Sequence, residues 1–279
     1  MALWFRANKL AVNINKTKYI IFHMRGKKIE NNIPDVVYNE NEPHTNDNAP
    51  IIPLERYYNN HPNEESRAYK LLGIYLDENL TLDKHIKHLA NKLSRAMYCI
   101  KRAKNALNLK GMISLYYALI HSHLTYCPII LACTSKANIT RIHKIQKKAL
   151  RIITQSTYNA HTGPICIALN ILPFNKIITQ AQMLFMHSIE YNYAPSSFNN
   201  IWRKINEREL NVTLRNNDRY ITPYPRIDIF KRTPLYACPN EWNQGGDIIH
   251  QNNRITFSIA LKDKLLCELE EEHIQTNMQ

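Results

Sequence analysis

Lys70–Leu89, KLLGIYLDENLTLDKHIKHL, decides the fold, because the pattern of apolar residues changes in its middle. Up to Asp77 the run from Tyr69 through Leu76 is biased towards β structure. After Thr81 apolar residues recur at Leu82, Ile86, Leu89, Leu93, Met97 and Ile100, three or four positions apart. The reading is a strand that stops at Asp77 and a helix capped at Thr81. The stretch also holds two carboxylates, Asp77 and Asp83, six positions apart. They could serve as metal ligands or as an acid–base pair. Equally, Asp77 could close a strand-end turn, and Asp83 could sit in a first helical turn, where the helix dipole favours an acid. A spacing of six across a turn does not aim both groups at one site, so the structural reading is preferred and no catalytic residue is expected.

Downstream, the helix that follows Thr81 carries Lys84, Lys87, His88, Lys92, Arg95 and Arg102 on the face opposite its apolar stripe. A second helix is expected over about Leu109–His123, ending before Pro128. A third is expected over about Asn138–Ile153, with Ile139, Ile142, Ile145, Ala149 and Ile152 inward and Arg141, Lys144, Lys147, Lys148 and Arg151 outward. Net charge is +13 for the whole chain of 279 residues. Residues 82–151 hold 14 Lys and Arg against one acid, Asp83, so this segment carries the entire excess. Such a field favours a polyanionic partner, nucleic acid or an acidic membrane surface. Scattered lysines usually mark a solvated face, but two basic stripes without compensating acids favour contact with phosphates.

The flanks differ in character. Residues 3–9 read as helix, and residues 12–22 as a hairpin turning near Asn15-Lys16. Residues 31–66 are rich in Asn, Pro, Glu and Asp and read as a mobile loop, with a short strand near Ile51–Leu54. Beyond Gly163-Pro164 a short helix ends near Leu169, and a longer, sparsely charged and buried one runs from Pro173 to about Tyr191. From Asn206 the sequence reads as extended and aromatic, through ITPYPRIDIF and TPLYACPNEWN, before a last helix over about Thr256–Glu271.

Several classes of function are disfavoured. With six glycines and neither GxGxxG nor GxxxxGK[ST], no phosphate-cradling loop is available. The six cysteines are scattered, without CxxC, and no signal peptide opens the chain, so reduced thiols in the nucleus or cytoplasm are expected. The uncharged segment Gly111–Ser135 is long enough for a bilayer, yet two histidines and a proline favour a buried helix, and no membrane association is expected. His121, His123, Cys127 and Cys133 do not follow a common zinc spacing, and no metal site is expected. Trp202, Trp242 and Tyr236 could stack on bases, but more often such residues anchor a small core. Gly73 admits two readings, close approach of a nucleic-acid backbone or a bulge in a strand.

Four blocks, in order, resemble one family: NKLAVNINKTKYIIF (8–22), KLLGIYLDENLTLDKHI (70–86), RIHKIQKKALRIITQSTYNAHTGPI (141–165) and TPLYACPNEWN (233–243). Together they resemble the later part of a reverse transcriptase of a jockey-like non-LTR retrotransposon. The resemblance implies an α+β, mainly α chain: short palm-edge strands, then a basic helical thumb bundle, then a C-terminal helical and aromatic extension. It divides the sequence into residual palm strands (1–30), the Asn/Pro-rich loop (31–66), a primer-grip-like strand and turn (67–80), the thumb (81–155) and the extension (156–279). Leu72, Gly73 and Ile74 take the primer-grip position, and His161 in NAHT fits the family pattern. Such polymerases hold two metal ions on adjacent aspartates plus one earlier in the chain. No Asp-Asp pair occurs in this sequence. The resemblance therefore implies that the fingers and the catalytic palm strands, with their Mg2+, are missing, and that this chain alone binds no cofactor. The expected function is that of a C-terminal fragment of an RNA-directed DNA polymerase, holding RNA–DNA or DNA duplex without regard to sequence. The alternative is a non-catalytic nucleic-acid-binding or adaptor protein derived from a retroelement.

Overall fold

Asp77 ends a hairpin and begins a corner. The structure, a computed structural model, describes residues 68–198, 200–205 and 218–278, with short pieces of the first 67 (5, 7–10, 13, 17–23, 37–38, 52–53 and 55–56). The chain divides into two units, residues 1–85 and 86–279.

In the first unit, β1 (Lys18–Tyr19) pairs in parallel with β4 (Glu55–Arg56), and β2 (Val37–Tyr38) pairs antiparallel with β3 (Ile52–Pro53). These short strands lie in and beside the stretch read as a loop, and β3 falls on the strand expected near Ile51–Leu54. Of the helix expected over 3–9, Phe5 and Ala7 are helical and 8–9 form a turn, while 3, 4 and 6 lie outside the described residues, as does the turn near Asn15-Lys16. β5 (Tyr69–Leu71) and β6 (Ile74–Leu76) form an antiparallel hairpin in which Leu71 faces Ile74. Its two-residue loop has positive φ at both positions, +46° at Leu72 and +89° at Gly73. Tight hairpins need this geometry to follow the twist of their strands, and glycine adopts it without strain. The bulge reading of Gly73 is thereby corrected: the glycine serves a turn.

The corner after β6 is built on Asp77. Its Oδ2 accepts from the Thr81 amide (3.1 Å) and hydroxyl (3.0 Å), and its Oδ1 accepts from the Leu82 amide (2.9 Å). Leu80 and Leu82 are left-handed here, with φ +51° and +60°. That conformation costs roughly 1–2 kcal/mol per residue, which the three bonds offset. Thr81 contributes to the helix start by accepting from the Asp83 amide at 3.3 Å, and helix α1 (Asp83–Ala103) begins two residues after the expected cap. The corner is tied to residues 20–23 through the Asn79 side-chain amide, which donates to the His23 carbonyl at 3.0 Å.

In the second unit α1 is followed by α2 (Leu109–Tyr116), a π-helical turn (Tyr117–His121) and α3 (Ser122–Leu124). The π turn was not anticipated, yet the sequence contains its cause. Met112, Tyr116, Ile120 and Leu124, all buried, are spaced by four. At about 100° per residue an α-helix would rotate each step by about 40° away from the core, and one wider turn takes that drift back. The hydroxyl of Ser122, the first residue after this turn, donates to the Ala118 carbonyl inside it at 2.6 Å. The chain then reverses at Cys127 (φ +50°), and Pro128 opens α4 (Pro128–Ala132). The uncharged stretch Gly111–Ser135 is thus broken into short pieces, and among the described residues no helix is long and apolar enough to cross a membrane.

α5 (Lys136–Ile153), α6 (Thr162–Ala168), α7 (Phe174–Glu190), α8 (Asp228–Lys231), α9 (Pro234–Asn243) and α10 (Arg254–Met278) complete the unit. α7 packs against α9, α10 and α4, and one apolar cluster runs from Ile86 to Leu265. Two expectations change. α5 buries Ile142, Gln146, Ala149, Leu150 and Ile153, while Ile139, Ile145 and Ile152 are half-buried, so its inner face is rotated from the isoleucine stripe. And TPLYACPNEWN is not extended: Thr233 and Pro234 open a ten-residue helix that contains Pro239. Proline is suited to the first helical position, where its missing N–H costs nothing. Pro239, inside the helix, has no N–H for the Leu235 carbonyl, which instead accepts from the Trp202 indole at 3.2 Å. Trp202 and Trp242 are buried and Tyr236 is half-buried, as expected of core anchors.

Candidate nucleic-acid interface

On α1 the apolar stripe faces inward, with Ile86, Leu93 and Ile100 at 1% exposure or less. Opposite it, Lys84, Lys87, Asn91, Arg95, Tyr98 and Arg102 follow one another at three- and four-residue steps. At 1.5 Å rise per residue this outer stripe is about 27 Å long. Lys87, Arg95 and Arg102 are exposed, Lys84 is half-buried, and Lys92 is exposed on the flank of the stripe. Tyr98 is 62% exposed between the two arginines. The sequence reading missed it, although its position three residues after Arg95 and four before Arg102 marks it.

On α5, Arg141, Lys144 and Lys148 are exposed at i, i+3 and i+7, while Lys147 and Arg151 lie half-buried at the edge of this second stripe. Gln146 decides which way the helix faces. Its side-chain amide donates to the Tyr116 hydroxyl and to the Leu172 carbonyl, both at 2.9 Å, and its carbonyl accepts from the Phe174 amide at 2.7 Å. One buried amide thus ties α5 to α2 and to the start of α7, and turns the opposite face to solvent. Arg151 was expected outward with the others. Instead its Nε donates to the Ala160 carbonyl at 2.9 Å, closing the loop between α5 and α6.

The field of these cations reaches the neighbouring imidazoles. Burial first and the Lys147 ammonium second push His143 down to about 4. Burial and Lys92 likewise push His123 down. Lys92, Arg95, Arg102, Arg141, Lys144 and Lys148 make no salt bridge among the described residues; the bridges present involve Lys176, Lys204, Arg232 and His23. Cations that meet no acid among the described residues suit a surface that exchanges small counterions for phosphates.

At the hairpin, Ile74 is buried, whereas Leu72 at the tip is 83% exposed beside Gly73. The three primer-grip-like residues therefore divide into a displayed tip and an inward anchor. Asp77 is committed to its corner, as described. His121 is half-buried against the ring of Tyr117, with centroids 4.9 Å apart, and the Cys133 thiol donates to the Ile129 carbonyl at 3.6 Å. Among the described residues no three His, Cys, Asp or Glu side chains gather closely enough to hold a metal ion.

The chain is 27% identical over 156 residues to a probable RNA-directed DNA polymerase from transposon X-element of Drosophila melanogaster, covering 54% of this chain and 14% of that protein. It is 29% identical over 103 residues to the RNA-directed DNA polymerase from mobile element jockey of the same fly, covering 36% of this chain and 11% of that protein. The jockey polymerase of Drosophila funebris matches at 27% over the same length. The chain thus spans well under a fifth of the relatives it matches. No family model matches it. No solved structure matches it. Over part of its length, at modest identity, the chain is homologous to the RNA-directed DNA polymerases of the non-LTR retrotransposons X-element and jockey.

Proposed function

We propose that this chain is a nucleic-acid-holding part of a reverse transcriptase, with α1 and α5 gripping an RNA–DNA or DNA duplex through its phosphates. The observation that carries the reading is the pair of outward cationic stripes in a segment whose one acid, Asp83, sits at the very start of the first helix. Helical basic stripes contact a backbone of regular charge without reading bases, so the grip is independent of sequence. Tyr98, flanked by Arg95 and Arg102, adds a flat apolar surface that packs against a sugar or an unpaired base. Leu72 and Gly73 at the hairpin tip are the groups that meet the end of the primer strand. Two-metal nucleotidyl transfer needs a set of carboxylates that this sequence does not carry, so the chain by itself holds a template–primer and does not extend it.

The test is a salt titration of binding by the full chain to a labelled RNA–DNA duplex. Log affinity should fall linearly with log salt, and replacing Arg95 and Arg102 by Gln together should make the slope shallower by about two. An affinity that is flat in salt, or a slope unmoved by the double substitution, would refute the reading. Incorporation of nucleotides by the purified chain with template, primer and Mg2+ would refute the second half.

A further inference from the structure

The two helices that carry the cationic stripes end at the same hollow. It has a volume of about 430 Å3, and its lining includes Lys104 and Leu107 just past α1, Leu109 and Met112 of α2, and Ile153 and Gln155 at the end of α5. A strand followed along either stripe towards its helix C-terminus arrives here, and Lys101, Arg102 and Lys110, next to the lining in sequence, are exposed. Met112 and Ile153 are buried, whereas Leu107 and Leu109 stay 43% and 51% exposed, so this apolar wall is left open to solvent. The Lys104 ammonium and the Gln155 side-chain amide make no hydrogen bond or ion pair among the described residues. Gln155 also closes α5. Its backbone amide donates to the Ile152 carbonyl at 3.3 Å, the Ser156 amide donates to the Arg151 carbonyl at 3.0 Å, and its φ is +54°. Glycine is the usual residue at this kind of helix end, because any side chain there is strained. Here a glutamine side chain is held at the strained position, and it lines the hollow.

We infer that this hollow receives the base of one unpaired nucleotide adjoining the duplex held by α1 and α5. The apolar side chains cover the flat face of the base, Gln155 meets its polar edge, and Lys104 meets the neighbouring phosphate. The inference rests on the proposed grip and adds a strand end to it. The volume lies in the range of small-ligand sites, about 300–1,000 Å3, which admits one base and excludes a duplex. A phosphate is the wrong occupant, since Lys104 is the one charged side chain in the lining and a charge among leucines, a methionine and an isoleucine loses its hydration without replacement. A base has apolar faces and a polar rim, and glutamine offers that rim both a donor and an acceptor, as it does to adenine. A paired base has its edge taken and stays in its stack. The hollow therefore selects an unpaired nucleotide, the feature that distinguishes a template–primer from plain duplex.

Binding of the full chain to two labelled RNA–DNA duplexes tests it. Both carry a one-nucleotide overhang, with adenine in one and an abasic sugar in the other, so their charges are equal. The adenine overhang should bind about tenfold tighter. Leu107→Ala together with Leu109→Ala, both at exposed positions, should reduce that advantage to under about twofold. Gln155→Gly should reduce it about threefold while the melting temperature holds or rises, because glycine suits that backbone. Arg95→Gln should weaken binding to both duplexes alike and leave their ratio unchanged. Equal affinity for the two overhangs, or an advantage untouched by the double leucine substitution, would overturn the inference, and the grip would still stand if binding kept its steep salt dependence. If neither duplex binds with a steep salt dependence, the grip itself fails and this inference falls with it.

Discussion

The indole N–H of Trp202 donates to the backbone carbonyl of Leu235 at 3.2 Å, and Leu235 is the residue whose helical partner is Pro239. Four residues on from Leu235, the proline offers no N–H, so α9 leaves that carbonyl without its usual helical donor. Trp202 supplies the missing donor from outside the helix. Trp202→Phe should therefore cost about 1 kcal/mol beyond the lost packing, the net worth of one such hydrogen bond. In a Pro239→Ala background the helix can make its own bond, and the cost of Trp202→Phe should shrink by about 1 kcal/mol. A double-mutant cycle by chemical denaturation measures this; equal costs in the two backgrounds would remove the compensation.

Gln146 should be among the most sensitive positions of the second unit. Gln146→Leu fills a similar volume but leaves the Phe174 amide and the Leu172 carbonyl without their partner. A loss of about 2–4 kcal/mol is expected, read as a lower denaturation midpoint at unchanged slope. Tyr116→Phe removes only the hydroxyl end of the same network and should cost about 1 kcal/mol. The reverse order of severity would mean that the α5–α2 contact, and not the α7 contact, holds the helix in place.

Asp77 should matter for stability rather than for chemistry. Asp77→Ala removes acceptors for two amides and a hydroxyl at a corner that holds two left-handed leucines, and should cost about 1–3 kcal/mol. Asp83→Asn should cost only a few tenths of a kcal/mol, from the lost helix-dipole interaction. Amide hydrogen exchange of residues 80–86 in each variant separates the two, since only the first should expose the corner.

His143 gives the protein an acid sensitivity with a defined sign. Its folded pKa is depressed from 6.5 to about 4 by burial and by Lys147. Below about pH 6.5 the unfolded chain takes up a proton that the folded chain refuses, so this contribution is complete above pH 6.5 and fades as pH falls towards 4. The loss should amount to about 1–3 kcal/mol. His143→Gln should flatten the fall of stability over that window. A variant as acid-sensitive as the parent would place the effect elsewhere, at His121 or His187, whose imidazoles burial also depresses.

The fold was legible wherever apolar period and end signals agreed. α1 follows its leucine and isoleucine spacing and α7 follows Pro173, while α5 starts at Lys136, two residues before the expected start, where the Ser135 hydroxyl accepts from the Asn138 amide at 3.3 Å. The basic stripes were legible for the same reason, since the face opposite an apolar stripe is outward by geometry. Local signals misled where a distant partner supplied what they lacked. A buried glutamine looks polar and therefore exposed until Tyr116, Leu172 and Phe174 are brought to it. A helix containing Pro239 looks improbable until Trp202 reaches its carbonyl.

The sequence by itself determined the order of strand, corner and helices, the concentration of positive charge on two helical faces, and the absence of an aspartate pair. Those properties are carried by neighbours within one or two turns. Only the tertiary structure decided how α5 is rotated and how Pro239 is tolerated. Each of these rests on hydrogen bonds between residues 26 to 33 positions apart. Such partners come together only when burial of the shared core brings their elements into register.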